Sequence, residues 1–373
     1  MASTKKRREE QEDASTEVTE VASNVLRMQL PIRMPGLGHV NCYALLDDDG
    51  AAVVDPGLPG PSTWRAMVNR LKQVGLEPRN VHSVIVTHSH PDHFGGVARM
   101  AKESGARVIA HRAFSFGARS PAAAEPEVSV EDLDAHQALH AARADASGST
   151  EADQNVAEAM AEATSRGRTP WGGEHPHPGV MVRLKWTAMR MLGGRIIPEI
   201  SHPVENGDVL RLAGREWFVV HTPGHTPDHF CLHDPEQGVF IAGDHVLPTI
   251  TPHISGIGSS RDPLASFFYS LDRVAEITGV EQVLPAHGHP FRDLPARTEA
   301  IKRHHEERLA SVKTISREIG PACVEAFTQR LFKRRSWGPM ADSETYAHLE
   351  HLRIAGQAER TLEKDGSFLY EAG

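Results

Sequence analysis

Thr87-His88-Ser89-His90-Pro91-Asp92-His93-Phe94-Gly95-Gly96 sets three imidazoles and a carboxylate within a few residues of one another. The apolar run Val84-Ile85-Val86 comes immediately before it and reads as a short buried strand, so the polar cluster is delivered at a strand end. Neutral imidazole and carboxylate together suit Zn, Fe, Ni or Mn. The default expectation is therefore a transition-metal site.

Upstream, Cys42 to Leu46, the acidic turn Asp47-Asp48-Asp49-Gly50 and Ala51 to Val54 predict a hairpin that runs into Asp55-Pro56-Gly57. Ser62 can cap a helix whose apolar positions Trp64, Met67, Val68 and Leu71 recur at helical spacing, with Gly75 ending it. Downstream, the pattern predicts a helix over 96–103 and a strand over 107–110. Strands alternating with helices imply layered α/β packing.

The chain has 373 residues, enough for a sizeable core and for more than one domain. A formal charge of −9 gives no electrostatic case for broad nucleic-acid or anionic-membrane binding. Cys42, Cys231 and Cys323 are far apart, which argues against a disulfide framework or a cysteine-based zinc finger and fits a reducing compartment. Residues 1–23 are polar and charged, with no apolar core like that of a secretory signal, and no later stretch approaches the length needed to span a bilayer. The expectation is a cytoplasmic protein with a disordered leader.

From about 113 to 203 the composition shifts. Ser129 to Arg143, Glu151 to Arg166 and Val180 to Leu192 carry helical spacing, and we read a helical insertion, either a surface elaboration or a lid over the substrate. The His175-Pro176-His177-Pro178 run within it reads as a loop.

After Pro203 the strand pattern returns. Trp217 to His221 meets Thr222-Pro223-Gly224-His225-Thr226, Val239 to Ala242 ends in Gly243-Asp244-His245, and Gln282 to Leu284 ends in Pro285-Ala286-His287-Gly288-His289. A single His or Asp at a strand end is usually structural. Several strand-to-loop junctions presenting His88, His90, Asp92, His93, His225, Asp244 and His287 exceed what one tetrahedral zinc needs and suit two metals sharing a carboxylate.

These residues resemble the metallo-β-lactamase-fold superfamily. The likeness rests on His-x-His-x-Asp-His at His88, His90, Asp92 and His93, Pro-Gly-His-Thr at His225, Gly-Asp at Asp244, a late His-Gly at His287 and the turn Val54-Asp55-Pro56-Gly57. It covers about 31–292. It implies an αββα sandwich with a dinuclear site at one edge, in a domain spanning about 24–293. His88, His90 and His225 would hold one divalent ion and Asp92, His93 and His287 the other. Asp244 would bridge them, and Asp55 would steady the histidine loop. Zinc is the first choice, with Fe or Mn as alternatives. Asp244 with His287 resembles the hydroxyacylglutathione hydrolase and lactonase branch more than true β-lactamases, where a cysteine usually holds one ligand position.

Two divalent ions lower the pKa of a bridging water, so a metal-bridging hydroxide would attack the carbonyl of a thioester, lactone or ester while one ion stabilises the oxyanion. Asp92 is the catalytic candidate, orienting the nucleophile and passing on a proton. The partner is then a small-molecule or acyl-thioester substrate. His253 and His229 are the substrate-side candidates, with Gly256-Ile257-Gly258-Ser259-Ser260 nearby. The alternatives are a metallo-nuclease of the same fold, which should need a basic groove, and an iron-dependent persulfide oxygenase, which uses fewer ligands.

Residues 294–373 predict three helices, around Ile301 to Ile319, Val324 to Arg334 and Glu344 to Ala355, then a terminal hairpin. That order looks like a small winged-helix domain. The segment holds thirteen Lys/Arg against twelve Asp/Glu, so packing, substrate enclosure or homodimer formation is favoured over nucleic-acid reading.

Overall fold

The structure, a computed structural model, describes residues 8–34, 36–116, 169–172, 196–257 and 260–373. The helices expected over 129–143, 151–166 and 180–192, the His175–His177 run, and Gly258 and Ser259 lie outside the described residues. The chain divides into two compact units, Met1–Ala118 with Pro178–Ser311, and Arg119–His177 with Val312–Gly373.

The first unit holds two sheets. Strands β1 (Val18–Ala22), β2 (Val25–Met34), β3 (Leu37–Asp47), β4 (Gly50–Val54), β5 (Val81–Val86), β6 (Arg107–His111) and β7 (His202–Val204) form one in sequential order. Its pairs are antiparallel from β1 to β4 and parallel from β4 to β7. Strands β8 (Val209–Leu212), β9 (Arg215–His221), β10 (Phe230–Asp234), β11 (Val239–Gly243) and β12 (Gln282–Pro285) form the other, in the order β12-β11-β10-β9-β8.

Strand periodicity explains how the layers form, because successive side chains leave opposite faces. In β5, Ile85 joins Val25, Tyr43, Leu45, Val54 and Ile109 on the inner face, packed against Leu212, Trp217, Val219, Phe230 and Ile241 of the second sheet. Its neighbours Val84 and Val86 point outward. They meet Met28, Val53 and Val108, and behind them Met67 and Leu71 of helix α1 (Pro61–Gln73), the one-turn helix α2 (Pro91–Phe94) through Phe94, and Val97 and Met100 of α3 (Val97–Ser104). Trp217 is fully buried between the sheets, and truncating such an aromatic typically costs about 3–5 kcal/mol. Between β11 and β12 runs α4 (Pro263–Ala275), whose Leu264, Phe267, Leu271 and Val274 are buried. The mixed α/β architecture is the one read from the motifs.

Three local expectations change. Helix α1 begins at Pro61 with Gly60 as its cap, so Ser62 lies inside the first turn; proline at the first helical position needs no N–H partner. The disordered leader is ordered from Arg8: Glu9–Gln11 form a 3-10 turn with Glu10 buried, and β1 pairs with β2. The apolar alternation in that segment is too short, and its charge too high, to be read as a strand.

The third change concerns the C-terminal boundary, read at 294. Helix α5 (Leu294–Ile319) runs through the division between the two units. In the second unit it is followed by α6 (Val324–Leu331), α7 (Pro339–Ile354) and the hairpin β13 (Ala358–Leu362) with β14 (Phe368–Ala372). A winged helix would need this order, and the likeness rests on order alone. Residues 169–172 also belong to this unit: the Trp171 indole N–H donates to Glu325 at 2.9 Å and its ring lies 5.2 Å from Tyr346. Among the described residues no helix is long and apolar enough to cross a membrane, and the three cysteines are free.

Candidate metal centre

Five strand ends of the first unit meet at one edge. Strand β4 ends at Asp55, β5 at Thr87, β9 runs into the 222–229 loop, β11 ends beside Asp244 and β12 beside His287. Parallel strands present their carboxyl ends to the same side, as open α/β sheets do around a ligand. The edge is tied across the sheets: Phe230 N–H donates to Thr87 O at 3.0 Å and Asn41 N–H to Ala286 O at 2.6 Å.

Asp55 organises the histidine loop. It adopts a left-handed conformation at φ 52°, which Asp tolerates better than most residues. Its Oδ1 accepts from Thr87 N–H at 2.9 Å; its Oδ2 accepts from the Thr87 hydroxyl at 2.7 Å and from His93 Nδ1 at 2.9 Å. The Thr87 oxygen, its proton committed to Asp55, faces His88 Nδ1 at 3.0 Å as acceptor. His225 Nδ1 donates to the carbonyl of His253 at 2.7 Å, and His287 Nδ1 to that of His39 at 2.7 Å. Four histidines are thus anchored through Nδ1 and turn Nε2 inward, which is how protein metal sites orient imidazole.

The inward atoms converge in two sets. His90 Nδ1 lies 3.0 Å from both His88 Nε2 and His225 Nε2, and Asp244 Oδ2 is 3.5 Å from His225 Nε2 and 3.9 Å from His88 Nε2. Beside them, Asp92 Oδ2 is 3.6 Å from His93 Nε2 and 3.5 Å from His287 Nε2. Asp244 faces this set too, Oδ1 at 3.3 Å from His287 Nε2 and Oδ2 at 3.6 Å from His93 Nε2. Within each set, His88/His90/His225/Asp244 and Asp92/His93/His287, the ligand atoms lie within 4.8 Å of one another.

A tetrahedral ion with bonds of about 2.0–2.1 Å puts its nitrogen ligands roughly 3.3 Å apart, close to these spacings. His93 Nε2, His287 Nε2 and Asp244 Oδ1 are buried without a hydrogen-bond partner. Orphaned groups of that kind cost about 1–3 kcal/mol each unless something satisfies them. A cation would satisfy all three, so the donor set fits metal ions.

Burial, then any charge on the adjacent His93 and His90, pushes the pKa of His88 well down; burial and His225 do the same for His90. His93 is raised well above the ordinary value: burial opposes its charge, but Asp92, Asp244 and Asp55 together outweigh it. Burial would raise Asp244, yet His287 and His93 hold it well below the carboxylate range.

His229, expected on the substrate side, is a correction. It is fully buried, with Nδ1 on the Thr222 hydroxyl at 2.7 Å and Nε2 accepting from Asp244 N–H at 3.1 Å. Both ring nitrogens are used to hold the Asp244 turn. Gly243, at φ 52°, leaves room for that ring, since a Cβ there would stand 2.6 Å from Nε2. His253 contributes its main-chain carbonyl to His225; its half-buried side chain carries charge influence to His90.

Several supporting residues escaped the sequence reading. Asn41 Nδ2 donates to the carbonyls of Pro285 and Gly288 at 2.8 Å each, and Tyr43 OH to that of Pro285 at 2.7 Å, so alternate residues of β3 hold the His287 loop. The only available signal was polar alternation in an apolar strand, His39-Val40-Asn41-Cys42-Tyr43. Asp228 accepts from the Ser89 hydroxyl at 2.9 Å, joining the 222–229 loop to the histidine loop, and burial raises its carboxyl to about 6.

Residues 35–303 match the family model of the metallo-β-lactamase superfamily. The chain is 32% identical over 121 residues to the lactamase-like protein nscB of Aspergillus fumigatus, covering 32% of this chain and 34% of that protein. It is also 32% identical over 125 residues to an atrochrysone carboxyl ACP thioesterase of the same organism, covering 32% of this chain and 28% of that one. The match thus spans about a third of the length of these curated relatives. A crystal structure of a metallo-β-lactamase family protein from Thermus thermophilus superposes with a TM-score of 0.68 at 25% identity, covering 94% of this chain and 99% of that one. With the motifs, the two-sheet fold and a family match over most of its length, the chain belongs to the metallo-β-lactamase superfamily.

Proposed function

We propose that this protein is a hydrolase with a dinuclear metal site that cleaves a thioester, lactone or ester. The observation that carries the reading is the convergence of seven N and O donors, six of them buried and three orphaned, in two sets that share Asp244. His88, His90 and His225 would hold one ion, Asp92, His93 and His287 the other, and Asp244 both; the donor chemistry suits zinc first, then iron or manganese. Two ions there would supply a strongly acidified water and polarise the acyl carbonyl.

The rest of the chemistry belongs to the chain. Asp92 lies at the inner wall, within 3.6 Å of His93 and His287, where its carboxylate can orient the attacking water and take its proton. Asp55, His39 and the His253 carbonyl hold the imidazoles in one tautomer, so no reorientation accompanies the reaction. The thioesterase among the relatives makes thioesters the first substrate class, and the half-buried His253 is the substrate-side candidate.

The test combines metal analysis of the purified protein with turnover of a panel of thioesters, lactones, β-lactams and RNA. Two ions per chain and thioester or lactone hydrolysis lost in Asp244→Asn are expected. Turnover of RNA alone would mean a nuclease, and one iron per chain with oxygen consumption on a persulfide would sink the hydrolase reading.

A further inference from the structure

Residues 8–12, at the amino-terminal side of β1, bond to two loops and to strand β3 around the metal centre. Glu10 is fully buried. Its Oε1 accepts from the N–H groups of Thr249 at 2.8 Å and Ile250 at 3.1 Å, and its Oε2 from the Thr249 hydroxyl at 2.5 Å. Arg297, on α5, grips the same segment through its carbonyls, with Nε on Leu247 O at 2.6 Å and Nη2 on Ile250 O at 2.7 Å. A carboxylate on the free N–H groups and a guanidinium on the free C=O groups satisfy both polarities of a stretch that has no helix or strand of its own. That stretch leads directly to His253, whose carbonyl fixes the His225 ring.

Glu12 reaches the other set. Its main-chain oxygen accepts from His39 Nδ1 at 2.8 Å, His39 Nε2 accepts from Gly288 N–H at 3.2 Å, and the His39 carbonyl holds His287. The approach is close enough that Gly38 has no room for a Cβ against Glu12 O. Glu9 and Glu12 side chains also meet His289, at 3.3 Å to its N–H and 2.8 Å to its Nε2.

We infer that the 8–12 segment is a built-in clasp of the metal centre and that Glu10 is a positioning residue, holding His225 in its ligating orientation through the 247–253 loop. The inference rests on the metal-centre reading. Irregular backbone keeps its position only through the bonds made to it, so removing the Glu10 carboxylate frees the His253 carbonyl and, with it, rotation of His225. Outer partners of metal ligands typically change affinity about 10–100-fold. The effect should fall on the His88/His90/His225 set, since the Glu12 main chain stays in place to hold His39 and His287.

The experiment titrates zinc into the full-length metal-free protein against a chromophoric chelator, records the cobalt(II) spectrum, and measures thermal unfolding of the same samples. The variants are Glu10→Ala, Glu10→Gln and Thr249→Ala, with the exposed Glu17→Ala as control. Glu10→Ala should weaken one ion about 10–100-fold while leaving the other within about threefold, and should alter the cobalt spectrum. Glu10→Gln, which keeps an acceptor oxygen, should recover part of the loss; Glu17→Ala should match the wild type. If Glu10→Ala does not fold, Glu10→Gln and Thr249→Ala carry the test through the same selective weakening. Folded variants with unchanged affinity for both ions, or with both ions weakened equally in step with a lower Tm, would overturn the clasp. A wild type that binds no ion would overturn the metal-centre reading beneath it.

Discussion

On one side of Asp244, His90 Nδ1 stands 3.0 Å from the Nε2 of both His88 and His225, with no second carboxylate among them. On the other, His93 and His287 share their space with Asp92, and Asp55 touches His93 from behind. The same residue types therefore meet opposite electrostatics. Burial and mutual repulsion keep His88 and His90 neutral well below pH 6.5, whereas three carboxylates keep His93 protonated above it despite burial. The nitrogen-rich set is ready to receive a cation. The carboxylate-rich set must first give up a proton.

The largest expected effect removes what the two sets share. Asp244→Asn should empty both and lower kcat/KM by roughly a thousandfold or more, read by metal analysis beside steady-state kinetics. If only one set empties, Asp244 is not their common ligand. Next come the single-set variants: His225→Ala and His287→Ala should each reduce two ions per chain to one and cut turnover by on the order of a hundredfold, measured in the same way. Loss of both ions from either variant would break the comparison, because the sets would then be one cooperative unit.

Asp55→Asn is expected to weaken metal binding about 10–100-fold, since the carboxylate holds His93 directly and His88 through Thr87. Chelator competition should find the larger loss at the carboxylate-rich set, which Asp55 touches without an intermediary. The smallest effect sharpens the contrast through pH. A cation entering beside His93 expels its proton, so affinity there should fall about tenfold for each pH unit below the raised pKa. His88 and His90 hold no proton to expel near neutrality. Lowering the pH from about 8 to about 6 should therefore release one ion before the other, with proton release on reloading seen by calorimetry in buffers of different ionisation enthalpy. In the metal-free protein the sign is reversed: the raised pKa of His93 contributes stability that is present at low pH and lost as pH rises through it.

The seven candidate donors were legible because each sits in a loop that directly follows a strand, its apolar run readable locally, as Val84 to Val86 and Val239 to Ala242 show. His229 was misplaced for the same local reason. A histidine four residues after a ligand looks like a second polar group at the mouth of a site, and only the packed structure buries it against Thr222 and Asp244. Asn41 and Tyr43 gave no more than polar alternation in an apolar strand, since their partners Pro285 and Gly288 lie more than two hundred residues away in sequence. Glu10 sat in a charged run that resembles any solvated leader. Its burial depends on a loop near residue 250 that no local pattern connects to it.

Local sequence was enough to specify the residue chemistry and the strands that carry it, because periodicity and motif spacing act over a few residues. Packing settled which face of each imidazole looks inward, which carboxylates surround His93, and which remote segments brace the loops. Those depend on hydrogen bonds between parts of the chain that meet only after two sheets have packed. The His-x-His-x-Asp-His stretch names the donors, and the fold around it assigns them different charges.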